Sequence, residues 1–260
     1  MKSRLEQAKK FSLLSKEILR YVGESVMLGR TVEDPWIRRR KRIKLIQKYA
    51  RKALKVLNVE VQVEDAHNYL LKDNALLVCN HMSYLDILVL SSVYPSCYVT
   101  SLEMKHTPVL GQLCDLGACV YVDRKTKKNL GKEIGEITQA LTKGLNVCFF
   151  PEATSHNGEE LLRFRKPLFN AARYAHKNIL PVSLNYLEID GESFSIKNRD
   201  KVCWYGDMDF LPHLWELCRA KKLVAKLKFL APLNEPQSYH SRDLAIKTQE
   251  ILTNEFQPAL

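Results

Sequence analysis

Residues 75–86 read ALLVCNHMSYLD, an apolar run that ends in a polar turn and leads into a helix-forming segment. The run over 75–79 predicts a short buried strand, and Ser83 with Asp86 three residues later is typical of a helix N-terminus. A strand, a turn and a helix in immediate succession indicate an α/β fold. His81 lies in the turn, at the carboxyl end of the predicted strand, where α/β folds carry their chemistry.

The chain from residue 58 onward continues this alternation. Short apolar runs rich in β-branched residues alternate with segments of helical periodicity, which predicts a mixed, mostly parallel sheet flanked by helices. We therefore expect one α/β domain over 58–260. The predicted strands cover 59–63, 75–79, 97–101, 118–122, 146–150, 180–186, 201–205 and 225–230. The predicted helices cover 83–94, 106–116, 127–143, 166–177, 211–221 and 241–257.

The first 57 residues follow a different pattern. Apolar residues recur every three or four positions over 2–28 and 35–57, which predicts two helices separated at Asp34-Pro35. This segment carries 17 lysines and arginines against five acidic residues, whereas the whole chain has a net charge of +11. Residues 58–260 are therefore nearly neutral, and residues 1–57 are expected to form a basic amphipathic helical hairpin.

A basic segment of this kind indicates an anionic partner, either a membrane surface or a nucleic acid. The second predicted helix combines an apolar stripe, a dense cationic side and a tryptophan near its start, which is typical of a membrane-surface element. No recognised nucleic-acid module surrounds it, so we expect no nucleic-acid partner. Packing of the helix on the domain, with its charges in water, is an alternative, and both can hold. The predicted membrane contacts are Trp36, Arg38, Arg39, Arg40, Lys41 and Arg42.

The composition excludes several other classes. With 46% hydrophobic and 27% charged residues, the chain is an ordinary globular sequence rather than a disordered one. The chain has seven cysteines, an odd number, and no two of them form a C-x-x-C motif. This pattern predicts reduced thiols in a cytosolic protein and no metal site. We see no signal peptide and no apolar stretch of the ~20 residues that a membrane-spanning helix needs. We therefore expect a protein that lies on a membrane without crossing it.

His81 and Asp86 are the first candidate catalytic residues. If the helix begins near Ser83, Asp86 falls in its first turn and can reach back to the imidazole, fix its tautomer and stabilise its charged form. Because an imidazole titrates near neutral pH, His81 can then take a proton from a substrate hydroxyl. The spacing alone is weak, since a histidine with a polar neighbour is more often structural. The case for a catalytic His81 therefore depends on the motifs that follow it in the sequence.

Two further strand ends carry candidate anion-binding groups. Arg124 follows the predicted strand over 118–122 and is placed to grip a phosphate, although pairing with Asp123 on the surface is the alternative. The strand over 146–150 runs into PEATSH at 151–156, a tight turn whose backbone N–H groups can face a reaction centre. A basic cluster then precedes a predicted helix and suits phosphate: Arg163, Arg165 and Lys166.

In this order, the motifs resemble those of the glycerolipid acyltransferase family, which includes the 1-acylglycerol-3-phosphate and lysophospholipid acyltransferases. Asn80, His81 and Asp86 match the family's N-H-x4-D motif, and 117–124 match its second block with one extra residue. Residues 150–156 match its F-P-E-G-T-R-S motif, and the strand around Pro181 matches its fourth. The likeness covers about residues 59–235.

The third motif differs from the family pattern at two places, and these differences narrow the choice of branch within the family. Ala153 replaces the usual glycine, and Ser155-His156 replaces the usual Arg-Ser pair. The lost arginine binds phosphate in family members that act on lysophosphatidic acid. With the segment Trp204–Met208, the third motif looks closest to the branch that acts on lyso-ornithine lipid and other lyso-lipids.

The resemblance implies an O-acyltransferase that moves a fatty acyl group from a thioester to the hydroxyl of a lyso-lipid, either a lysophospholipid or lyso-ornithine lipid. It implies His81 as the base and Asp86 as its orienting partner, with acyl-CoA or acyl carrier protein as co-substrate and no cofactor. It also implies a peripheral enzyme on the cytoplasmic face of a membrane, expected to be a bacterial inner membrane. The implied substrate-binding residues are Asn80, Ser83, Arg124, Glu152, Ala153, Thr154, Ser155, Arg165 and Lys166.

Three alternatives stay open. A 1-acylglycerol-3-phosphate acyltransferase that makes phosphatidic acid differs only in the acceptor. A lipid-binding protein keeps the fold without catalysis, and a hydrolase applies the same His-Asp pair to water. The sequence does not choose between the two donors or fix the length of the acyl chain.

Overall fold

In the computed structural model, residues 2–65, 73–107, 109–123, 126 and 128–260 are described. Two long helices come first, α1 (Lys2–Thr31) and α2 (Pro35–Leu57). Asp34 caps α2, because its side chain accepts hydrogen bonds from the backbone N–H groups of Trp36 at 2.8 Å and Ile37 at 2.7 Å. Asn58 ends α2 in the left-handed conformation.

A single sheet follows the hairpin. Its strands are β1 (Val59–Glu64), β2 (Leu76–Cys79), β3 (Cys97–Ser101), β4 (Val120–Val122), β5 (Val147–Phe149), β6 (Ile179–Ile189), β7 (Glu192–Ser193) and β8 (Leu223–Phe229). They pair in the order β1-β8-β6-β2-β5-β3-β4, with β7 beside β6. Only β6 pairs in the antiparallel sense among the described strands, with β7 and β8. The expectation of a mixed, mostly parallel sheet is therefore confirmed.

Helices cover both faces of this sheet. They are α3 (Leu85–Val93), α4 (Leu110–Leu116), α5 (Leu130–Thr142), α6 (Asn170–Ala175), α7 (Phe210–Leu217) and α8 (Ser241–Thr253). The strand period of two separates the faces along β2. Leu77 and Cys79 enter a core with α2, α3 and α7, whereas Leu76 and Val78 enter a second core with α5, α6 and α8.

The helical hairpin is part of this packing. Leu14 of α1 and Leu54 and Leu57 of α2 are buried in the same core as β2 and α3. The lysines and arginines of α2 are not part of that apolar core. Among the described residues, no helix combines the length and the apolar character that a membrane-spanning segment needs.

The predicted strand over 201–205 is wrong. Residues 199–201 form a short 3-10 turn, and the backbone N–H groups of Val202 and Cys203 both donate to the carbonyl oxygen of Arg199. The apolar pattern arises because Val202 and Cys203 are buried in the core. The segment 202–209 is instead a loop that bends over the end of β2, where the N–H of Trp204 donates to the carbonyl oxygen of Met82 at 2.8 Å.

Candidate active site

The carboxylate of Asp86 lies at the centre of the turn that follows β2. Its Oδ2 lies 2.9 Å from Nδ1 of His81 and accepts hydrogen bonds from the N–H groups of Met82 at 2.7 Å and Ser83 at 2.8 Å. Its Oδ1 accepts the hydroxyl of Tyr186 at 2.6 Å. Asp86 is fully buried, so its charge depends on these donors for stabilisation.

The start of α3 explains how Asp86 reaches these groups. Asp86 lies in the first helical turn, and its N–H donates to the carbonyl oxygen of Ser83 at 3.1 Å. The hydroxyl of Ser83 accepts the N–H of Leu85 at 3.3 Å. The carboxylate thus folds back over the unpaired N–H groups at the helix N-terminus, where negative charge is favoured.

Tyr186 comes from the middle of β6, 100 residues after Asp86. Burial, with the charge of Asp86 as a further cause, raises the pKa of Tyr186 well above its ordinary value. The hydroxyl therefore keeps its proton and acts as a donor. The local sequence around residue 81 gives no sign of this contact, which sequence analysis missed.

The imidazole of His81 is half-buried and stacks on Phe150, with 3.9 Å between the ring centroids and an angle of 11° between the planes. Because Nδ1 is occupied by Asp86, Nε2 is the ring nitrogen left for a substrate. The ring is thus fixed in position by a hydrogen bond on one nitrogen and a stacking contact on one face. The stacking role of Phe150 was also missed from the sequence.

His81 lines a cavity of about 410 Å³. Its walls are mainly apolar and come from α1, α2, α3, β3 and α4, so that the cavity lies between the helical hairpin and the domain. Leu14, Ala50, Leu88, Val99 and Leu110 are among the apolar lining residues. Thr154, Ser155, Tyr205 and Gly206 line it from the two loops next to His81. A chain of methylene groups is the kind of ligand that such a space accepts.

Glu152 holds the main chain of His81. Its Oε1 accepts the N–H of His81 at 2.8 Å and its Oε2 accepts the N–H of Leu162 at 2.8 Å. The carboxylate is buried, so both oxygens are engaged inside the protein. The structure therefore places Glu152 beneath the turn that carries His81.

Asn80 and Ser83 are also buried. The side chain of Asn80 donates to the carbonyl oxygen of Leu184 at 2.8 Å and accepts the N–H of Leu184 at 2.9 Å, which fastens the end of β2 to β6. Both side chains thus shape the turn from within.

Ala153, Thr154 and Ser155 form the turn beside His81. Ala153 has a φ of +63°, the left-handed region that favours glycine. The hydroxyl of Ser155 donates to the carbonyl oxygen of Trp204, which joins this turn to the loop over 202–209. Thr154 is exposed.

The predicted basic residues are placed unequally. Arg165 is exposed and Lys166 is half-buried just before α6, whereas Arg124 lies outside the described residues.

The hairpin arginines bind backbone carbonyl oxygens: Arg39 donates to Ala118 at 3.0 Å and to Cys119 at 3.1 Å. Three more also donate to backbone carbonyl oxygens. Lys41 is exposed, and Trp36 packs partly into the second core. Those three are Arg38, Arg40 and Arg42.

Other reactive groups do not complete this site. The thiols of Cys79, Cys148 and Cys203 are buried, and burial raises their pKa, which keeps them protonated. Within the described ranges, no three His, Cys, Asp or Glu side chains approach closely enough to hold a metal ion. Among the described residues that line the cavity, His81 is the one whose side chain contacts the carboxylate of Asp86.

Comparison with known proteins agrees with this arrangement. An acyltransferase family model matches residues 60–185, which include β2, the His81 turn and the 150–156 turn. The 1-acyl-sn-glycerol-3-phosphate acyltransferase of Neisseria gonorrhoeae is 31% identical over 178 residues, 68% of each chain. The lyso-ornithine lipid O-acyltransferase of Rhizobium meliloti is 34% identical over 161 residues, 59% of this chain and 55% of that one.

The fold also has a solved counterpart. The crystal structure of the 1-acyl-sn-glycerophosphate acyltransferase from Thermotoga maritima matches with a TM-score of 0.71 and 19% identity, over 98% of this chain and 95% of that one. The chain belongs to the acyltransferase family. It is an acyltransferase of the kind whose relatives act in lipid biosynthesis.

Replacement of Ala153 by glycine is expected to stabilise the protein by about 1 kcal/mol, because a residue with a Cβ is strained at positive φ. The measurement is the free energy of unfolding in urea. Ala171→Gly, in the helix α6 where Ala171 is fully buried, serves as the control and is expected to destabilise. Equal losses in both variants would contradict the assigned strain at Ala153.

Proposed function

We propose that the protein transfers a fatty acyl group from a thioester to the hydroxyl of a lyso-lipid, with His81 as the general base. The observation that carries this proposal is the 2.9 Å contact between Nδ1 of His81 and the buried Asp86. It leaves Nε2 for a substrate hydroxyl at an apolar cavity. A base that faces a space for a lipid chain fits transfer of a fatty acyl group to a lipid hydroxyl.

The proposed reaction is direct. The acceptor hydroxyl hydrogen-bonds Nε2 of His81, and Nε2 takes the proton as the oxygen attacks the thioester carbonyl carbon. Asp86 stabilises the imidazolium that forms. The tetrahedral intermediate collapses with cleavage of the C–S bond, and the imidazolium returns its proton to the leaving thiolate. The backbone N–H groups of Thr154 and Ser155 are proposed to stabilise the oxyanion, at about 3 kcal/mol per donor; the N–H of Ala153 already donates to the carbonyl oxygen of Phe150.

The cavity is proposed to hold the acyl chain of the donor. Its lining is mainly apolar, and burial of methylene groups stabilises a bound chain by about 0.8 kcal/mol for each one. Because the walls include α1 and α2, the hairpin takes part in chain binding. Acyl-CoA and acyl carrier protein both present a thioester, and exposed Arg163 and Arg165 suit the phosphates of one or the acidic surface of the other.

For the acceptor, we favour lyso-ornithine lipid or a related lyso-lipid over lysophosphatidic acid. Among the described residues that line the cavity there is no lysine or arginine, so they offer no guanidinium to a phosphomonoester. Ser155 stands where the related motif has an arginine, and its hydroxyl is bound to Trp204. Both acceptors occur in the names of relatives, and lysophosphatidic acid is the second candidate.

The membrane surface is the proposed site of action, on its cytoplasmic face. Lyso-lipid acceptors reside in membranes, and α2 carries exposed lysines alongside arginines that bind carbonyl oxygens. Exposed apolar residues of α1 such as Leu5 and Leu19 provide surface for contact with lipid. The enzyme would then meet its acceptor without crossing the bilayer.

His81→Ala is expected to lower kcat about 10²- to 10⁴-fold, because the acceptor hydroxyl loses its base. Wild type and variant receive acyl-CoA or acyl carrier protein donors with lysophosphatidic acid, lysophosphatidylcholine, lysophosphatidylethanolamine or lyso-ornithine lipid, and transfer is measured by mass spectrometry. His240→Ala, which removes an exposed histidine, is the matched control. The acceptor with the highest transfer rate is identified as the substrate.

The same assay separates the alternatives. Thioester consumption without acceptor lipid would indicate a hydrolase, and transfer to no lipid in the panel would favour a binding protein. Activity of His81→Ala equal to that of wild type would refute the assigned base.

Leu110→Trp is expected to shift the preferred donor toward shorter acyl chains, because the larger ring fills part of the cavity. The measurement is kcat/KM for donors with acyl chains of about 8 to 18 carbons. For the long chains, kcat/KM is expected to fall roughly tenfold for each 1.4 kcal/mol of lost contact energy. Gln112→Trp adds the same ring at an exposed position of α4 and is expected to leave the preference unchanged. An unchanged preference in Leu110→Trp would place the acyl chain elsewhere.

Replacement of Lys41 and Lys44, both exposed on α2, by glutamine is expected to weaken binding to anionic vesicles by about 1 kcal/mol per removed cation. Sedimentation with vesicles that contain phosphatidylglycerol measures the binding. The control removes exposed Lys197 and Lys221 from the domain. Equal binding by both double variants would argue that α2 has no special role at the membrane.

A further inference from the structure

The turn over 150–156 holds the main chain of His81 on both sides. Glu152 accepts the N–H of His81 at 2.8 Å, and the N–H of His156 donates to the carbonyl oxygen of His81 at 3.1 Å. The peptide groups of the catalytic residue are therefore tied to one short segment. A change in the position of Glu152 is therefore expected to shift the backbone that carries the imidazole.

His156 lies directly behind Glu152. Its side chain is buried, with 5% of the residue exposed, and its Nε2 lies 3.1 Å from Oε2 of Glu152. Its Nδ1 accepts the N–H of Gly158 at 3.1 Å. In the neutral ring, the proton must then be on Nε2, which faces Glu152.

The Nε2 proton has no other hydrogen-bond partner in the described part of the chain, and its contact with Glu152 is close but not aligned as a hydrogen bond. The attraction between a ring N–H and a buried carboxylate nevertheless acts at this distance, because little water screens it. The ring also packs edge-on against Phe256, with 5.7 Å between the centroids. The position of the His156 ring is thus set by the hydrogen bond from Gly158 on one side and by packing against Phe256 on the other.

We propose that His156 is a positioning residue for His81 and acts through Glu152. Its Nε2–H holds the Glu152 carboxylate, which holds the N–H of His81, while its own backbone N–H holds the His81 carbonyl oxygen. The inference rests on the proposed role of His81 as base. A shift of about 1 Å in the base is enough to lower turnover about 10²-fold, so a remote support of this kind affects the rate.

The test compares His156→Phe with His156→Gln. Phenylalanine keeps the ring packing against Phe256 but loses the donor to Glu152, and glutamine keeps an amide N–H that can reach Glu152. We expect kcat of folded His156→Phe to fall about 10- to 100-fold with KM for donor and acceptor within about twofold of wild type. His156→Gln is expected to stay within about threefold of wild-type kcat.

A double-variant cycle with Glu152→Gln separates positioning from general destabilisation. If His156 acts through Glu152, the double variant is expected to lose no more activity than Glu152→Gln alone. Ile137→Ala creates a cavity in the second core at α5 and gives a destabilised control whose folded fraction is expected to keep wild-type kcat. Wild-type kcat in folded His156→Phe, or losses that multiply in the double variant, would overturn the proposal.

Hydrogen exchange at the His81 amide provides a readout that does not need activity. The Glu152 bond protects this N–H, so exchange is expected to be at least about tenfold faster in His156→Phe and unchanged in Ile137→Ala after correction for global unfolding. Unchanged exchange in His156→Phe would refute the support through Glu152. If wild type transfers no acyl group, the proposed function fails, and this exchange still decides whether His156 holds the turn.

Discussion

One buried carboxylate holds together the turn that carries His81. Asp86 is fully buried and is reached by donors from the His81 ring, from the backbone of Met82 and Ser83, and from Tyr186 on β6. A buried charge without such partners would cost several kcal/mol. The end of β2, the start of α3 and the middle of β6 must therefore come together before this carboxylate is satisfied, so the fold and the site are set by the same contact.

The site has two unlike halves. One half is a hydrogen-bonded frame. In it, Asn80, Glu152 and Asp86 are all buried and their polar atoms hydrogen-bond to other groups of the protein. The other half is an apolar cavity closed by the N-terminal hairpin, with His81 at the boundary between them. The rigid frame explains how a loop residue can hold one orientation. Because residues of α1 and α2 line this cavity, the hairpin is part of the site.

The sequence predicted those parts of the site that depend on neighbours along the chain. The β2 strand, the turn and the first turn of α3 follow from the local pattern, and the family likeness indicated His81, Asp86 and the 150–156 turn. Tyr186, Phe150 and His156 could not be assigned because their roles depend on contacts across the sheet. The loop over 202–209 was misread because burial of Val202 and Cys203 imitates a strand. Glu152 is predicted to bind substrate, and in the structure its buried carboxylate accepts the N–H groups of His81 and Leu162.

The central claim is that Asp86 fixes His81 with its proton on Nδ1 and its lone pair on Nε2. Nitrogen NMR of protein labelled with ¹⁵N-histidine measures this directly, with His81→Ala used to assign the signal. In the neutral ring, the account predicts a protonated Nδ1 and an unprotonated Nε2 in wild type, and a loss of this preference in Asp86→Asn. A wild-type His81 with its proton on Nε2 would contradict the account, because that nitrogen could not take a proton from an acceptor hydroxyl.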